Sequence, residues 1–468
     1  MLLNPAEKDI YLKFSNINLP RHTSYPVVPV WEKGWNYFKY EPELISKMKE
    51  EEEISLYVHV PFCKKLCHYC ACNKEIVSDD MRAKSDPASS YLMHIGLELK
   101  ILSDTIGKKK IKQLHLGGGS PTFLKVSQLS LLLDQISTWF DTSDVGEMSV
   151  EVDPRVTTRE QLIHLKGLGF NRISLGIQDF DSEVQKAIGR VQPFEMVKEF
   201  VSWIRELKFD SLNFDLIYGL PLQSIKTVKE TVNKVLELSP DRIAYYRLAL
   251  IPEIFKWQRS FARHEIPSAE DNLNFLQLAM DGFNADYDMI GFDHFSKKDE
   301  ALSKAKKDGT IRRNFQGMTT ERKLPILGVG PSAISDLHGV FSQNHKTIKK
   351  WSEALERGLL PVNSGMILSK EDVVRKSLMD DLYGLGKIDL NKYIERSREL
   401  GSDINFEPEM ERVAELKKLG IVEVENNVVQ LTFPLGQLLS RVCGAAFDPY
   451  LPNDAYLNGV SEFRVSKI

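Results

Sequence analysis

Four of the five cysteines, Cys63, Cys67, Cys70 and Cys72, lie within ten residues, whereas Cys443 is distant. Thiols crowded this closely in a long chain without a signal peptide favour a metal site over a disulfide framework. Structural zinc prefers four nitrogen or sulfur ligands, and no second His or Cys pair stands at a suitable spacing. Three thiolates suit a cubane [4Fe–4S] cluster better, because one iron stays open to a ligand. A zinc knuckle or incidental buried thiols are the alternatives.

A glycine turn, Gly117-Gly118-Gly119-Ser120, follows a predicted strand and precedes a predicted helix. Consecutive glycines permit close backbone approach and positive φ, and so expose N–H and C=O groups to a small ligand. Taken alone, the turn also fits an ordinary tight connection between strand and helix.

Strand-like runs alternate with helical stretches, which predicts an α/β fold built from parallel βα units. The runs lie at residues 55–60, 111–117, 148–153, 172–178, 211–217, 242–249 and 287–294. The stretches between them carry apolar residues at three- and four-residue spacing, as helices packed on a sheet do.

Polar residues take every second place in four of these strands, as in Arg172, Ser174 and Gln178 or in Asn213 and Asp215. A barrel wrapped in helices buries both faces of its strands, and unpaired polar groups there are costly. Either these residues satisfy one another or the interior holds a polar ligand. We favour the ligand, because the four strands behave alike.

The pattern changes after about residue 360. A helix start at Ser369, a helix over residues 412–419 and a hairpin turned at Asn426-Asn427 are typical of a winged helix. DNA binding is one interpretation, but the segment is acidic and lacks a basic stripe, and the chain carries a net charge of −4. We therefore expect no nucleic-acid partner. No apolar run approaches the roughly 20 residues that span a bilayer, and a cytoplasmic enzyme is expected.

In the cysteine loop, Tyr69 comes directly before the third cysteine, Cys70. This loop and the glycine turn together resemble the motifs of the radical S-adenosylmethionine (SAM) enzymes. Further motifs narrow the resemblance to the oxygen-independent coproporphyrinogen III oxidase family, nearly from end to end and in the same order. They lie at residues 20–26 (PRHTSYP), 57–63, 70–74, 117–122, 151–155, 176–180, 215–221, 291–295 and 313–317.

The resemblance implies a partial (β/α)6-type radical SAM barrel over residues 51–360. It also implies an N-terminal arm or lid over residues 1–50 and a mostly helical, winged-helix-like domain over 361–468. The implied activity is oxidative decarboxylation of two propionates of coproporphyrinogen III to the vinyls of protoporphyrinogen IX. The cluster reduces SAM to a 5′-deoxyadenosyl radical for this step. The implied partners are the tetrapyrrole and an electron donor such as a flavodoxin or ferredoxin, and a monomer is expected.

Site residues are carried over position by position. Cys63, Cys67 and Cys70 are expected to ligate the cluster, and with Tyr57 they form the predicted catalytic set. Contacts to the SAM on the open iron are expected from Tyr57, Tyr69, Gly118, Glu151 and Ile334. Contacts to a second SAM are expected from Gly119, Ser120, Gln178, Arg190, Asp215 and Ala249. Substrate contacts are assigned to Arg21, His59, Ile217, Phe315 and Gln316, with His22 beside Arg21 in the arm.

One segment departs from the family pattern. Where the family reads close to Asn-Tyr-Ala-His, this chain has Arg247-Leu248-Ala249-Leu250, which bears on which tetrapyrrole fits. A haem-modifying radical SAM methyltransferase and a non-catalytic haem chaperone are the alternative functions. Cys72 and the N-terminal arm disfavour the chaperone, which usually lacks both.

Overall fold

The computed structural model of the chain describes residues 3–20, 22–261, 266–320 and 324–460. Its contacts form two compact units. The large unit comprises Glu32–Pro267 and Leu324–Met366, and the small unit comprises Met1–Trp31, Ser268–Lys323 and Ile367–Ile468. These boundaries differ from the predicted segments 1–50, 51–360 and 361–468, since residues 32–50 belong with the large unit and 268–323 with the small one. The role of the arm as a lid stays a prediction.

The strands of the described residues are β1 (Glu32–Lys33), β2 (Glu53–Val60), β3 (Phe62–Cys63), β4 (Glu75–Ile76), β5 (Lys110–Gly118), β6 (Glu147–Val152), β7 (Arg172–Gln178), β8 (Ser211–Tyr218), β9 (Arg242–Arg247), β10 (Tyr287–Ile290), β11 (His294–Lys297), β12 (Arg312–Asn314), β13 (Gly317–Thr319), β14 (Ile326–Val329), β15 (Ile334–Asp336), β16 (Val340–Asn344), β17 (Val362–Ile367), β18 (Lys387–Asp389), β19 (Val422–Glu425) and β20 (Val428–Leu431).

The helices are α1 (Pro5–Ser15), α2 (Tyr37–Met48), α3 (Asp79–Lys84), α4 (Pro87–Ile106), α5 (Val126–Trp139), α6 (Arg159–Gly167), α7 (Ser182–Ala187), α8 (Phe194–Glu206), α9 (Ile225–Leu238), α10 (Ala269–Phe283), α11 (Ala301–Lys307), α12 (Ile348–Glu356), α13 (Lys370–Leu385), α14 (Leu390–Glu399), α15 (Glu407–Lys418), α16 (Leu435–Leu438), α17 (Ser440–Ala446) and α18 (Ala455–Asn458). Short 3-10 helices lie at Val28–Val30, Pro121–Phe123 and Lys256–Ser260.

A mixed sheet forms the centre of the large unit. Its strands run in the order β1, β17, β16, β15, β14, β2, β5, β6, β7, β8, β9. The stretch from β14 to β9 is parallel throughout. Helices lie between consecutive parallel strands, as crossover connections require. Within the described residues the sheet does not close on itself. Parallel strands joined by helices in an open sheet are what a partial barrel requires, so the predicted partial (β/α) barrel is confirmed.

Strand β2 shows the physical basis of this arrangement. Ile54, Leu56, Val58 and Val60 alternate along it and are completely buried. Branched side chains at every second position suit a strand covered by helices. The alternate positions are left for polar groups.

The small unit contains the predicted winged-helix-like segment. Strands β18, β20 and β19 form an antiparallel sheet, and Asn426 and Asn427 turn its hairpin with φ of 49° and 65°. Helix α13 begins after Ser369, whose side chain accepts a hydrogen bond from the Asp372 N–H at 3.1 Å. Both sequence predictions are confirmed.

One expectation about the small unit is wrong. Residues 287–294 are not one strand, because Gly291 has φ of 60° and turns the chain between β10 and β11. His22, beside Arg21 in the arm, is buried, and its ring nitrogens lie 2.7 Å from Tyr383 Oη and 2.9 Å from Asp448 Oδ2. Arg21 lies outside the described residues.

Among the described residues, no helix is both long enough and apolar enough to cross a bilayer.

Candidate active site

The three cysteines predicted to ligate a cluster line one cavity of the large unit. Cys63 ends β3, which follows β2 after Pro61, and Cys67 and Cys70 lie in the loop beyond it. Strands β3 and β4 pair in parallel and so bring the two ends of this loop together. The cavity has a volume of about 770 Å³.

Cys67 and Cys70 lie close enough to Cys63 to affect the ionisation of its thiol. Burial, followed by the proximity of Cys70 and Cys67, raises the pKa of the Cys63 thiol to about 12. A hydrogen bond from Cys72 lowers the pKa of Cys70 to about 6 against the opposing effect of burial, and Lys74 adds to this lowering. A cluster needs three neighbouring sulfurs as thiolates, and this loop fits one.

Two arginines face the sulfur of Cys67. Arg155 Nη2 lies 3.5 Å from Cys67 Sγ, and Arg190 Nη1 lies 3.8 Å from the same atom. Asp153 joins the two guanidinium groups, at 2.6 Å from Arg155 Nη2 and 3.2 Å from Arg190 Nη1. Burial would raise the pKa of Asp153, but Arg190 and Arg155 outweigh it and hold the pKa at about 2. Donors to a ligating sulfur and a net positive charge both suit an anionic cluster.

The glycine turn is fitted against the start of the cysteine loop. The N–H groups of Gly119 and Ser120 donate to the carbonyls of Val60 and Phe62, both at 2.8 Å. A Cβ atom on Gly119 would stand 2.7 Å from the Phe62 oxygen. Gly118 has φ of 111°, which few residues other than glycine adopt. A side chain on Gly119 would therefore displace the turn from the cysteine loop.

An aromatic and polar group lies at the carboxyl end of β2. Tyr57 OH is 3.0 Å from His59 Nδ1, and His59 Nε2 is 2.9 Å from the Asn73 carbonyl oxygen. Burial lowers the pKa of His59 and raises that of Tyr57. His59 is thus a neutral side chain that ties β2 to the far end of the cysteine loop.

Glu151 is held in place by two neighbours. Its Oε2 accepts a hydrogen bond from the Gly118 N–H at 3.1 Å, and its Oε1 lies 3.5 Å from His115 Nε2. The other ring nitrogen of His115 is 2.6 Å from Ser149 Oγ. The His115 ring also stacks on Tyr57, with centroids 5.7 Å apart. This arrangement presents a carboxylate to the cavity in one orientation.

The opposite wall is formed by the ends of β7 and β8. Gln178 lines it with φ of 68°, in the left-handed region. Asp215 accepts hydrogen bonds from Ser174 Oγ at 3.0 Å and from Asn213 Nδ2 at 2.9 Å. Part of the polar alternation is therefore satisfied within the protein, and part faces the cavity.

The predicted residues divide into four groups by position. Those that line the cavity are Cys63, Cys67, Cys70, Tyr69, Gly118, Gly119, Ser120, Glu151, Gln178, Arg190 and Asp215. Those placed elsewhere in the large unit are Tyr57, His59, Ile217, Ala249 and Ile334. Phe315 and Gln316 belong to the small unit, and Arg21 is outside the described residues. All of these roles stay predictions.

Several residues that shape the site were not predicted from the sequence. Arg155 lies in a motif that pointed to the family but was given no role, and His115 shares the polar alternation of β5. Lys74 ends the motif at residues 70–74 but was given no role, and Trp257 gave no local signal, because their meeting depends on a loop returning after β9. Leu248, in the segment that departs from the family, packs beside Tyr69 and Ile217 on a buried cluster.

Comparison with known proteins places the chain in one superfamily. The model of the radical SAM superfamily matches residues 57–235. The chain is 36% identical to the oxygen-independent coproporphyrinogen III oxidase of Synechocystis sp., covering 94% of each chain. It is 37% identical to the Pseudomonas aeruginosa oxidase, covering 93% of this chain and 94% of the relative.

A solved structure gives the same result for the fold. Coproporphyrinogen III oxidase from Escherichia coli, a radical SAM enzyme, superposes with a TM-score of 0.85 at 33% identity, covering 93% of this chain and 100% of the other. Radical SAM proteins use a [4Fe–4S] cluster and SAM, which the three-cysteine cavity fits. The chain belongs to the oxygen-independent coproporphyrinogen III oxidase family of radical SAM enzymes.

Proposed function

We propose that the protein oxidatively decarboxylates coproporphyrinogen III to protoporphyrinogen IX without oxygen, in cytoplasmic haem synthesis. The observation that carries this proposal is the meeting of Cys63, Cys67, Cys70, the glycine turn and Glu151 in one cavity of a chain similar to these oxidases over nearly its whole length. Each propionate becomes a vinyl group by losing CO2, one hydrogen atom, which ends in 5′-deoxyadenosine, and one electron, which passes to an electron acceptor. When bound, the cluster and SAM supply the one-electron cleavage that makes the hydrogen-abstracting radical.

The residues of the cavity bind and orient the cofactors. Cys63, Cys67 and Cys70 hold the cluster, and Arg155 and Arg190 offset its negative charge at Cys67. Glu151, fixed by His115 and Gly118, accepts hydrogen bonds from the SAM amino group. Because these groups are already held by protein hydrogen bonds, little reorganisation is needed on binding.

The opposite wall takes a second SAM molecule in this proposal. This wall carries Gln178, Arg190 and Asp215. Asp215 is oriented by a hydrogen bond from Ser174 Oγ, and Arg190 is oriented by the hydrogen bond that it donates to the Gly176 carbonyl. Ile217, Phe315 and Gln316 are proposed to contact the tetrapyrrole. Reducing equivalents come from a flavodoxin or ferredoxin, and the enzyme acts as a monomer.

The test is anaerobic reconstitution with iron and sulfide, followed by turnover of coproporphyrinogen III with SAM and a reductant. We expect protoporphyrinogen IX, CO2 and 5′-deoxyadenosine by mass spectrometry. Cys63→Ser should form no intact cluster, whereas Cys443→Ala, which alters a buried thiol in the small unit, should keep cluster and activity. Zinc at the loop of the parent protein, or haem bound without SAM cleavage, would overturn the proposal.

A further inference from the structure

The carbonyl of Cys70 accepts two side-chain hydrogen bonds. Trp257 Nε1–H donates to it at 2.9 Å, and Lys74 Nζ donates to it at 3.2 Å. Lys74 Nζ also donates to the Cys72 carbonyl at 3.3 Å. Trp257 and Lys74 therefore both bind the backbone at Cys70, and Lys74 extends this contact to Cys72.

Trp257 and Lys74 also contact each other. The Lys74 ammonium lies 4.2 Å from the centroid of a Trp257 ring, within cation–π range. Both side chains are half-buried. The indole face thus keeps the ammonium over the two carbonyls, whereas a free lysine side chain would sample many rotamers.

The segment that carries Trp257 is itself fixed to the cysteine loop. Gln258 Nε2 donates to the Tyr69 carbonyl at 3.2 Å and to the Ala249 carbonyl at 2.9 Å. The Gln258 Oε1 accepts from the Ile251 N–H at 2.6 Å. Gln258 is nearly fully buried, so Trp257 stands on an anchored support.

We propose that Trp257 and Lys74 form a clasp that orders the Cys70–Cys72 turn and holds a positive charge beside the cluster, which raises the cluster's reduction potential. This inference rests on the proposed function for the presence of a cluster. Fixed charges and hydrogen bonds around ligating sulfurs are established determinants of cluster potential. Trp257 and Lys74 are positioning residues, since neither is a ligand.

The first measurement uses metal-free protein and follows alkylation of Cys70 by site-resolved mass spectrometry. Trp257→Leu keeps an apolar side chain but removes the N–H donor and the ring under Lys74. Both proteins are alkylated at a pH high enough to ionise the Cys70 thiol fully, so that the rate reports access to the thiol and not its pKa. We expect Cys70 to be alkylated about threefold faster in this variant, because the loosened backbone exposes it. Cys443 in the same sample serves as an internal reference, because it is buried in the small unit.

The second measurement is a redox titration of the reconstituted cluster followed by electron paramagnetic resonance. Lys74→Met should shift the midpoint potential to a more negative value, because it removes a charge that stabilises the reduced cluster. Trp257→Leu should shift the potential in the same direction, and should add little in the Lys74→Met background.

Trp139 provides the matched control. Its ring lies under Lys100 at 5.5 Å, and this pair is on helices α5 and α4 rather than on the cysteine loop. Trp139→Leu should change neither the potential nor the alkylation rate. Unchanged values for Trp257→Leu, or a full shift that persists in the Lys74→Met background, would overturn the clasp. A parent protein that forms no cluster would defeat the proposed function, while the alkylation measurement would still decide on the clasp.

Discussion

Glu98 accepts a hydrogen bond from the backbone N–H of Gly330 at 2.8 Å, deep in the large unit. The same carboxyl group accepts from Asn344 Nδ2 at 2.7 Å and from Trp351 Nε1 at 2.8 Å. A Cβ atom on Gly330 would stand 2.6 Å from the carbonyl oxygen of His59. Glu98 thus fixes the turn after β14 against the end of the strand that leads to the cysteine loop.

Replacing Glu98 by Leu should lower the free energy of unfolding by about 3 kcal/mol, because three buried donors lose their acceptor. Chemical denaturation monitored by circular dichroism measures this loss. Trp351 fluorescence should report the change locally. A loss below 1 kcal/mol, on the scale of a surface substitution, would show that the donors find other partners.

The charge of Glu98 should also appear in the pH dependence of stability. Burial raises its pKa from 4.5 to about 7, despite the three donors. The folded state therefore binds this proton more tightly than the unfolded state, and stability falls as the pH rises from 4.5 to 7. Glu98→Gln should remove this contribution, which denaturation of parent and variant across that range would reveal as a difference in slope. Parallel curves would contradict the assignment.

Gly119→Ala should abolish SAM binding, since its Cβ would stand 2.7 Å from the Phe62 oxygen and displace the turn. Equilibrium dialysis with labelled SAM measures this on reconstituted protein. Gly167→Ala is the control, because a Cβ there meets nothing within 4 Å and the residue ends helix α6. Similar SAM affinities for the two variants would show that the glycine turn tolerates a side chain at residue 119.

Asp153→Asn should destabilise the protein by about 2 kcal/mol, the equivalent of lowering a carboxyl pKa from 3.8 to about 2. The cause is the loss of the charge that Arg155 and Arg190 share. Asp144→Asn makes the same chemical change at an exposed ion pair with Lys110 and Lys112, and we expect little effect there. Denaturation curves for both variants give the comparison, and equal losses would contradict the role of burial.

His115→Phe should weaken SAM binding about tenfold while leaving the cluster spectrum unchanged, because Glu151 loses one of the two neighbours that orient it. The ring that stacks on Tyr57 is kept in this variant. His164→Phe is the matched control, since His164 pairs with Ser130 Oγ at 2.8 Å on helices α6 and α5. The measurement is a SAM titration of the reconstituted variants. An unaltered dissociation constant for His115→Phe would show that His115 is not needed to orient Glu151.

Features encoded by neighbouring residues were predictable from the sequence. The spacing of Cys63, Cys67 and Cys70, the glycines before Ser120 and the alternation in β2 each arise within a few residues. Two adjacent asparagines likewise predicted the turn of the last hairpin. In each case local geometry decides the structure.

Features that depend on distant partners were not predictable. The burial of His22 depends on Tyr383 and Asp448, more than 300 residues away along the chain. The ion pair of Asp153 with Arg190 joins residues on either side of strand β7. Even the run at 287–294 looked like a strand, because a single glycine does not reveal that both halves pair with each other.

The register of β14 on β2 has a consequence for how the protein is made. Ile326 pairs with Ser55 and Val329 with Val58, so one edge of the strand before the cysteine loop has no β14 neighbour until the chain has been synthesised beyond residue 329. An incomplete chain exposes that row of backbone N–H and C=O groups to other molecules. The nascent polypeptide thus carries the thiols of its cysteine loop on an unfinished sheet through most of translation, when shelter from aggregation and oxidation matters most.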